Sequence, residues 1–218
     1  MEPGQILGEA WRLYAAHWRH LLALSVLVYL AVSLLVLAFA FLIGILSAFI
    51  SLAGVFWLQA VLVKAVEDIR DGRADMSVRA TLESALPRIN AVSAVGLLAS
   101  IAIGIGLALF IVPGLILLTI WSVVVPVLML EGTGVFRSFG RSQELVRGNG
   151  WSVFAVVAIS IVLILLAGIV LGLVFQPIDP EWLESVVVNV TSNAIFAPFA
   201  ALAWTLMYFR LRELQAAR

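Results

Sequence analysis

The distribution of apolar and charged positions along the chain predicts membrane-crossing helices. Two stretches, Leu21–Val63 and Ala91–Leu130, contain no charged residue. One crossing needs about 20 apolar residues, so each stretch is long enough for two helices, and two further apolar runs follow. The six predicted crossings lie at about Leu21–Ile43, Ser51–Ile69, Ala91–Ile111, Leu115–Leu130, Trp151–Phe175 and Ser185–Phe209.

Short amphipathic segments between these runs predict helices that lie on the membrane surface. In the first of them, Leu7, Trp11, Tyr14 and Trp18 share one helical face, which suits the headgroup layer. Packing of this helix on neighbouring loops is the alternative. The predicted surface helices span Pro3–Trp18, Met76–Arg88 and Thr133–Arg147.

Proline, glycine and small polar residues predict where these elements begin, end or bend. Ser77 suits the N-cap of the second surface helix, and Pro87 is expected to end that helix. Pro126 predicts a kink in the fourth crossing, and a re-entrant hairpin built from crossings three and four is the alternative. The predicted outer turns lie near Gly44–Ser51, Pro113–Gly114 and Gln176–Glu184.

The basic residues are confined to one side of this predicted topology. All thirteen fall in the N-terminal segment, the two re-entry segments or the C-terminus, and the three outer turns contain none. Basic residues near the ends of crossings remain in the cytoplasm. The sequence therefore predicts an all-α polytopic membrane protein with six transmembrane helices, arranged as three hairpins with both termini inside.

The chain is expected to form a single membrane domain, residues 1–218. Arg19, Arg88 and Arg147 stand at matching places, each just before an apolar hairpin. This predicts a parallel repeat of three hairpins, 1–73, 76–131 and 133–218, related by an axis along the membrane normal. The alternative is that any set of membrane hairpins shows this degree of similarity.

Composition agrees with a membrane location and limits the chemistry. Hydrophobic residues make up 63% of the chain and charged residues 12%, whereas a soluble domain carries about 25% charged residues. The formal net charge is zero and cysteine is absent, which gives no reason to expect nucleic acid, a disulfide or a thiol nucleophile. The sequence lacks HExxH, GxSxG and phosphate-loop motifs. We therefore expect no catalytic residue, metal or cofactor.

Several polar residues fall within predicted crossings, where polar groups are costly and often functional. In crossing six they follow helical spacing, so they would line a hydrophilic cavity or hydrogen bond between helices. Lys64 can reach Glu67 or Asp68 or extend its side chain outward. The candidate intramembrane polar residues are Gln59, Lys64, Asn189, Ser192 and Asn193.

Arginines of the surface segments are candidates for contact with lipid headgroups. Glu131, at the end of crossing four, is expected to pair with Arg137 or Arg141, which would hold the surface helix beneath the bundle. We take Glu131–Arg137 as the candidate structural pair. The candidate headgroup residues are Arg19, Arg88, Arg137, Arg141 and Arg147.

Three stretches resemble the membrane domain that is fused to some glycerophosphoryl diester phosphodiesterases. They are KAVEDIRDGR, the run PGLILLTIWSVVVPVLMLEGTGVFRSFGRSQELVRGNGW and the closing APFAALAWTLMYFRLRE. In fused members the phosphodiester chemistry belongs to a separate soluble barrel, and stand-alone relatives are uncharacterised multi-helix proteins of bacteria and archaea. The resemblance therefore implies a membrane location and a six-helix plan without hydrolase activity. The matching motif residues are Pro113, Gly114, Pro126, Glu131, Ser142, Leu145 and Gly148.

These observations favour a non-enzymatic protein of the bacterial or archaeal cytoplasmic (inner) membrane. We expect a lipid-associated accessory or scaffold unit whose partners are membrane lipids, other membrane proteins or a second copy of the chain. The alternative is a small transporter or channel that uses polar groups of helices two and six. An intramembrane enzyme is a third interpretation, which would require ionisable side chains to meet at depth.

Overall fold

The computed structural model describes residues 2–40, 44–72, 76–175 and 181–217, and all regular secondary structure in these ranges is helical. A short 3-10 turn, Leu86–Arg88, joins the third and fourth α-helices. The α-helices are α1 (Pro3–Ala40), α2 (Gly44–Arg70), α3 (Val78–Ala85), α4 (Ile89–Leu109), α5 (Ile111–Ile120), α6 (Val124–Leu130), α7 (Val135–Val146), α8 (Gly150–Phe175) and α9 (Glu181–Ala216).

Within the described ranges, five helical segments are long and apolar enough to cross a membrane. This confirms the predicted all-helical class and the presence of helices of membrane-spanning length. The α2 helix is not among the five. The segments are Pro3–Ser33, Val78–Leu109, Ile111–Leu130, Gly150–Phe175 and Val190–Ala216.

The hydrophobic core lies around α2, α6 and α9. Leu62, Val127 and Leu202, one from each helix, are almost completely buried, and α1 packs along both α2 and α9. By contrast, the far ends of the α4–α5 hairpin and of α8 expose large apolar side chains, including Phe110 and Leu173. Packing is therefore densest at the end of the bundle where the charged segments lie.

The first hairpin differs from the prediction in two places. The predicted surface helix and first crossing form one helix, α1, with a kink at His17, whose φ is −120° and ψ is 22°. The predicted turn at Gly44–Ser51 is wrong, because α2 begins at Gly44 and the residues between the two helices lie outside the described ranges. Small residues are tolerated within a long apolar helix, because the helix hydrogen-bonds its own backbone groups.

The second predicted outer turn is also misplaced. The chain reverses at Phe110, which is extended with φ −153° and ψ 131°, and Pro113–Gly114 lies in the first turn of α5. Proline is tolerated there because the first N–H groups of a helix have no intrahelical partner. Gly114 is buried, and a Cβ at this position would lie 2.6 Å from the backbone nitrogen of Leu107. The Pro-Gly pair therefore starts a helix and allows it to pack closely on α4.

The bend predicted for the fourth crossing is a complete break. Helix α5 ends at Ile120, α6 begins at Val124, and the Ser122 hydroxyl donates to the Thr119 carbonyl at 2.9 Å. Pro126 explains the position of the break. It has no N–H to donate to the carbonyl of Ser122, four residues earlier, and its ring would clash with that carbonyl in a continuous helix.

The remaining elements follow the prediction more closely. Ser77 is the N-cap of α3 and accepts a hydrogen bond from the Ala80 backbone nitrogen at 3.2 Å. Pro87 ends α3 as predicted, but the 3-10 turn then leads directly into α4. Helix α8 matches the fifth crossing, α9 extends the sixth at both ends, and the turn residues 176–180 lie outside the described ranges.

We predict that Gly114→Ala destabilises the protein whereas Gly104→Ala does not. Alanine favours the helix by about 0.5–1 kcal/mol over glycine, and a Cβ at Gly104 would meet no atom within 4 Å. At Gly114 the same methyl group meets backbone of α4, and overpacking of this kind costs about 1–3 kcal/mol. Unfolding of the purified variants in detergent, followed by circular dichroism, measures the difference. Equal stability of the two variants would contradict the close-packing role of Gly114.

Candidate functional site

Glu131, the first residue after α6, joins three helices at the charged end of the bundle. Its carboxylate accepts from the Arg141 Nε at 3.0 and 3.3 Å and from the Tyr208 hydroxyl at 3.1 Å. The side chains of Glu131 and Arg141 are only 19% and 26% exposed. This partly buried network connects the end of α6 to α7 and α9.

Arg141 remains a cation in this setting. Burial alone would lower the pKa of its guanidinium, but hydrogen bonds and charge from Glu131 and Glu144 outweigh burial and raise the pKa. The Glu144 carboxylate lies 3.3 Å from the Arg141 Nη1. Charge-assisted hydrogen bonds between a guanidinium and carboxylates are stronger than neutral ones, so this pair can hold α7 in place.

Arg88, the last residue of the 3-10 turn before α4, also stabilises this end of α6. Its Nη1 donates to the Leu128 carbonyl at 2.7 Å, where the last carbonyls of a helix have no intrahelical donor and carry partial negative charge. Gly132 has a φ of +67°, and a Cβ there would lie 3.0 Å from Nη2 of Arg88. Glycine at this position therefore accommodates both the left-handed turn and the guanidinium.

Helix α7 also contacts the break in the fourth crossing. The buried Ser142 hydroxyl donates to the Ile120 carbonyl at 2.7 Å, at the last residue of α5. The ring of Trp121 packs edge-on against Phe139, with centroids 4.9 Å apart. Ser142 and Arg141 therefore bind the two ends of the broken segment, the Ile120 carbonyl and the Glu131 carboxylate.

Further ion pairs join the ends of other helices at this side. Arg70 pairs with Glu213 at 3.0 Å and lies 4.1 Å from the centroid of the Phe209 ring, which links α2 to α9. Lys64 pairs with Glu67 at 2.7 Å, one of the two partners predicted for it. Lys64 therefore has a local structural partner within its own helix.

The predicted intramembrane polar residues are placed only in part. Gln59 in α2 and Ser192 in α9 are buried, and within the described part of the chain the Ser192 hydroxyl has no hydrogen-bond partner. The side chains of Asn189 and Asn193 lie outside that part. The polar lining that a transporter or channel requires therefore stays a prediction.

The predicted arginine set separates into two groups. Arg19, Arg137 and Arg147 are exposed, whereas Arg88 and Arg141 are partly buried in the contacts described above. Of the two partners predicted for Glu131, Arg141 is confirmed, whereas the Glu131–Arg137 pair taken as the candidate is wrong. Arg137 and Arg141 lie one turn apart on the same face of α7, and sequence spacing alone does not fix which turn of the helix lies level with Glu131.

Sequence reasoning did not identify Tyr208 and Ser142 as members of the network. Tyr208 is fully buried close to the charged end of α9, and a buried tyrosine hydroxyl usually has a hydrogen-bond partner. Ser142 stands among the residues that carry the family resemblance. The need of a buried hydroxyl for a hydrogen-bond partner is the signal that could have pointed to both.

Neither a metal site nor a catalytic cluster is evident in the described ranges. No group of three or more histidine, aspartate or glutamate side chains in those ranges is close enough to hold a metal ion. The network around Glu131 instead combines one carboxylate with a guanidinium and a phenol. Such a set of hydrogen bonds can hold helices in position, which is a structural role.

The fold and this network define an all-helical protein with helices of membrane-spanning length. Residues 76–211 match a domain family described as a domain of unknown function, DUF7847. The match covers more than half of the chain, which therefore belongs to that family. It extends from just before the N-cap of α3 into the last turns of α9. No curated protein and no solved structure matches the chain significantly.

We predict that Arg141→Gln destabilises the protein and that Arg137→Gln does not. Loss of the guanidinium leaves a partly buried carboxylate without its charged partner, which costs about 1–3 kcal/mol. Tyr208→Phe removes one neutral donor and should cost about 0.5–1.5 kcal/mol. Arg137 is exposed, and substitutions of that kind usually stay within about 0.5 kcal/mol.

The free energy of unfolding in detergent, measured for all three variants, checks this order. A stability loss in Arg137→Gln that equals the loss in Arg141→Gln would show that the assigned partner of Glu131 is incorrect.

Proposed function

We propose that this chain is a six-crossing protein of the bacterial or archaeal cytoplasmic membrane and acts as a lipid-associated accessory or scaffold unit without enzymatic activity. The five segments of spanning length support the membrane location. The resemblance to the phosphodiesterase-associated membrane domain agrees with it and brings no catalytic residue. The proposal therefore includes no chemical step.

The proposed sixth crossing is α2. Its residues Gly44–Val63 carry no charge, and 20 helical residues extend about 30 Å at 1.5 Å per residue, the thickness of the hydrocarbon core. Its cytoplasmic half is closely packed, with nearly every residue from Leu58 to Val66 buried or half-buried. Because α2 packs against both α1 and α9, it is expected to enter the bilayer together with them.

The contacts among charged residues support a cytoplasmic location for one end of the bundle. Arg70–Glu213 joins the ends of α2 and α9, and Glu131 joins the end of α6 to α7 and α9. These contacts bring the arginine-bearing segments together. By the positive-inside rule this end faces the cytoplasm, which gives six crossings with both termini inside.

The observation that carries the lipid-associated role is a set of exposed aromatic rings beside exposed arginines. Trp18 is 50% exposed with the Arg19 guanidinium 5.8 Å from its ring centroid, and Phe136, next to Arg137, is 81% exposed. Trp151, four residues after Arg147, is 86% exposed. Aromatic rings favour the headgroup layer and arginines attract anionic lipid. These pairs form a belt at the proposed cytoplasmic surface.

Arg19 and Arg137 are better tests of this role than Arg88 and Arg141, because the latter two stabilise the bundle. We predict that Arg19→Gln/Arg137→Gln lowers the preference for anionic over zwitterionic lipid. A basic residue near the surface contributes about 1 kcal/mol, or roughly fivefold in affinity. Tryptophan quenching in vesicles by brominated phosphatidylglycerol, relative to brominated phosphatidylcholine, measures the preference.

Arg79→Gln/Glu83→Gln is the matched control, since these two exposed residues pair at 2.7 Å on the same helix. This control also carries two substitutions and leaves the net charge unchanged, so it should keep the lipid preference within about twofold of the parent protein. An unchanged preference in the Arg19/Arg137 variant, or an equal loss in the Arg79/Glu83 variant, would contradict the proposed headgroup contacts.

A further inference from the structure

An apolar groove separates α5 from the first turns of α8. Its volume is about 680 Å³, and its walls include Val112, Leu115 and Ile116 of α5 and Trp151 and Phe154 of α8. Binding sites for small molecules have volumes of about 300–1,000 Å³. The Thr119 hydroxyl in its lining already donates to the Leu115 carbonyl at 2.7 Å. The groove is thus of ligand size and suited to hydrocarbon.

The break in the fourth crossing accounts for this groove. Beyond the break every residue from Val124 to Met129 is buried, whereas Val112 and Ile116 before it are 65% and 55% exposed. The chain therefore passes from an exposed helix to a central one at Trp121–Val123. Helix α5 is left beside α8 with only limited contact between them.

A second, more polar cavity adjoins the groove. Its volume is about 420 Å³, it is lined in part by Glu144, Arg147 and Gln215, and it shares Gly148 and Asn149 with the groove. Gly148 has a φ of +88°, a conformation that favours glycine, and it forms the turn between α7 and α8. An apolar and a polar cavity therefore meet at one turn, at the proposed membrane surface.

We infer that these joined cavities bind one anionic phospholipid, with an acyl chain in the groove and the phosphate beside Arg147. The groove lies among exposed apolar side chains of α5 and α8, so bilayer lipid is the molecule that reaches it. Arg147 is exposed at the polar end, and the N-terminus of α8 at Gly150 adds partial positive charge. The inference deepens the proposed function and rests on it, since it requires that these helices span a bilayer.

Native mass spectrometry of the protein extracted in mild detergent with added phosphatidylglycerol tests the inference. We expect one phospholipid to remain bound to the parent chain. Ile116→Trp, which fills the groove, should lower the bound fraction at least fivefold. Leu166→Trp is the matched control, because Leu166 is 53% exposed on α8 and lies outside the groove lining, and it should retain the lipid.

Arg147→Gln tests the polar end of the site and should weaken phosphatidylglycerol retention about fivefold. A phosphatidylglycerol analogue with a photoreactive group on the acyl chain tests the unmodified protein, which keeps the test valid if Ile116→Trp fails to fold. The expected adducts lie in α5 and in the first turns of α8.

Equal retention in Ile116→Trp and the parent chain, no retained lipid in the parent chain, or adducts spread evenly over the exposed helices would each overturn the inference. These results leave the proposed function intact if the Arg19/Arg137 variant still loses its preference for anionic vesicles. If the Arg19/Arg137 variant keeps the parent's preference for anionic vesicles while one lipid is still retained in the groove, only the proposed surface contacts are overturned.

Discussion

A charged side chain is costly in the hydrocarbon of a bilayer, and in the proposed membrane location this cost constrains every element of the chain. The uncharged stretches become long helices, and the basic residues collect in the segments between them. The structure then joins those segments through contacts such as Arg70–Glu213 and Arg141–Glu131. The charges between the apolar helices thus hold the helix ends together, and in the proposed topology they do so outside the bilayer.

The network around Glu131 shows how an interrupted helix is accommodated at this end. The break beside Pro126 and the end of α6 each leave carbonyl groups without helical donors. Ser142 satisfies one of them before the break, and Arg88 satisfies one at the end of α6. Surface helix α7 supplies Arg141 as well as Ser142, so it acts as a structural part of the bundle. The same break separates α5 from α8 and creates the groove.

The sequence predicted the helical class and the approximate limits of most elements, because apolar runs of this length have few other structures available. Lys64–Glu67 was also predictable, since partners three residues apart meet on one helix face. Turn positions were less predictable. Pro113–Gly114 has the composition of a turn, yet proline is equally suited to the first turn of a helix and glycine to close packing. The choice between those uses depends on how Leu107 approaches, which is a tertiary contact.

The choice between Arg137 and Arg141 as the partner of Glu131 was beyond sequence reasoning for a similar reason. Arg137 and Arg141 are one helical turn apart, and the left-handed turn at Gly132 determines which of them reaches the carboxylate. Tyr208 comes from a helix 77 residues away, and no local pattern indicates that contact. Contacts within one helix could be read from spacing, whereas contacts across helices required the fold.

Cysteine accessibility in intact cells tests the central claim, that all basic segments lie on one side of the membrane, most directly. The chain has no cysteine of its own. Phe110 is 72% exposed at the tip of a hairpin, and a Cβ at Gly140 in α7 meets no atom within 4 Å. With a membrane-impermeant maleimide, we predict that Phe110→Cys reacts in intact cells and that Gly140→Cys reacts only after permeabilisation. Labelling of both cysteines from outside, or the reverse order, would contradict the topology.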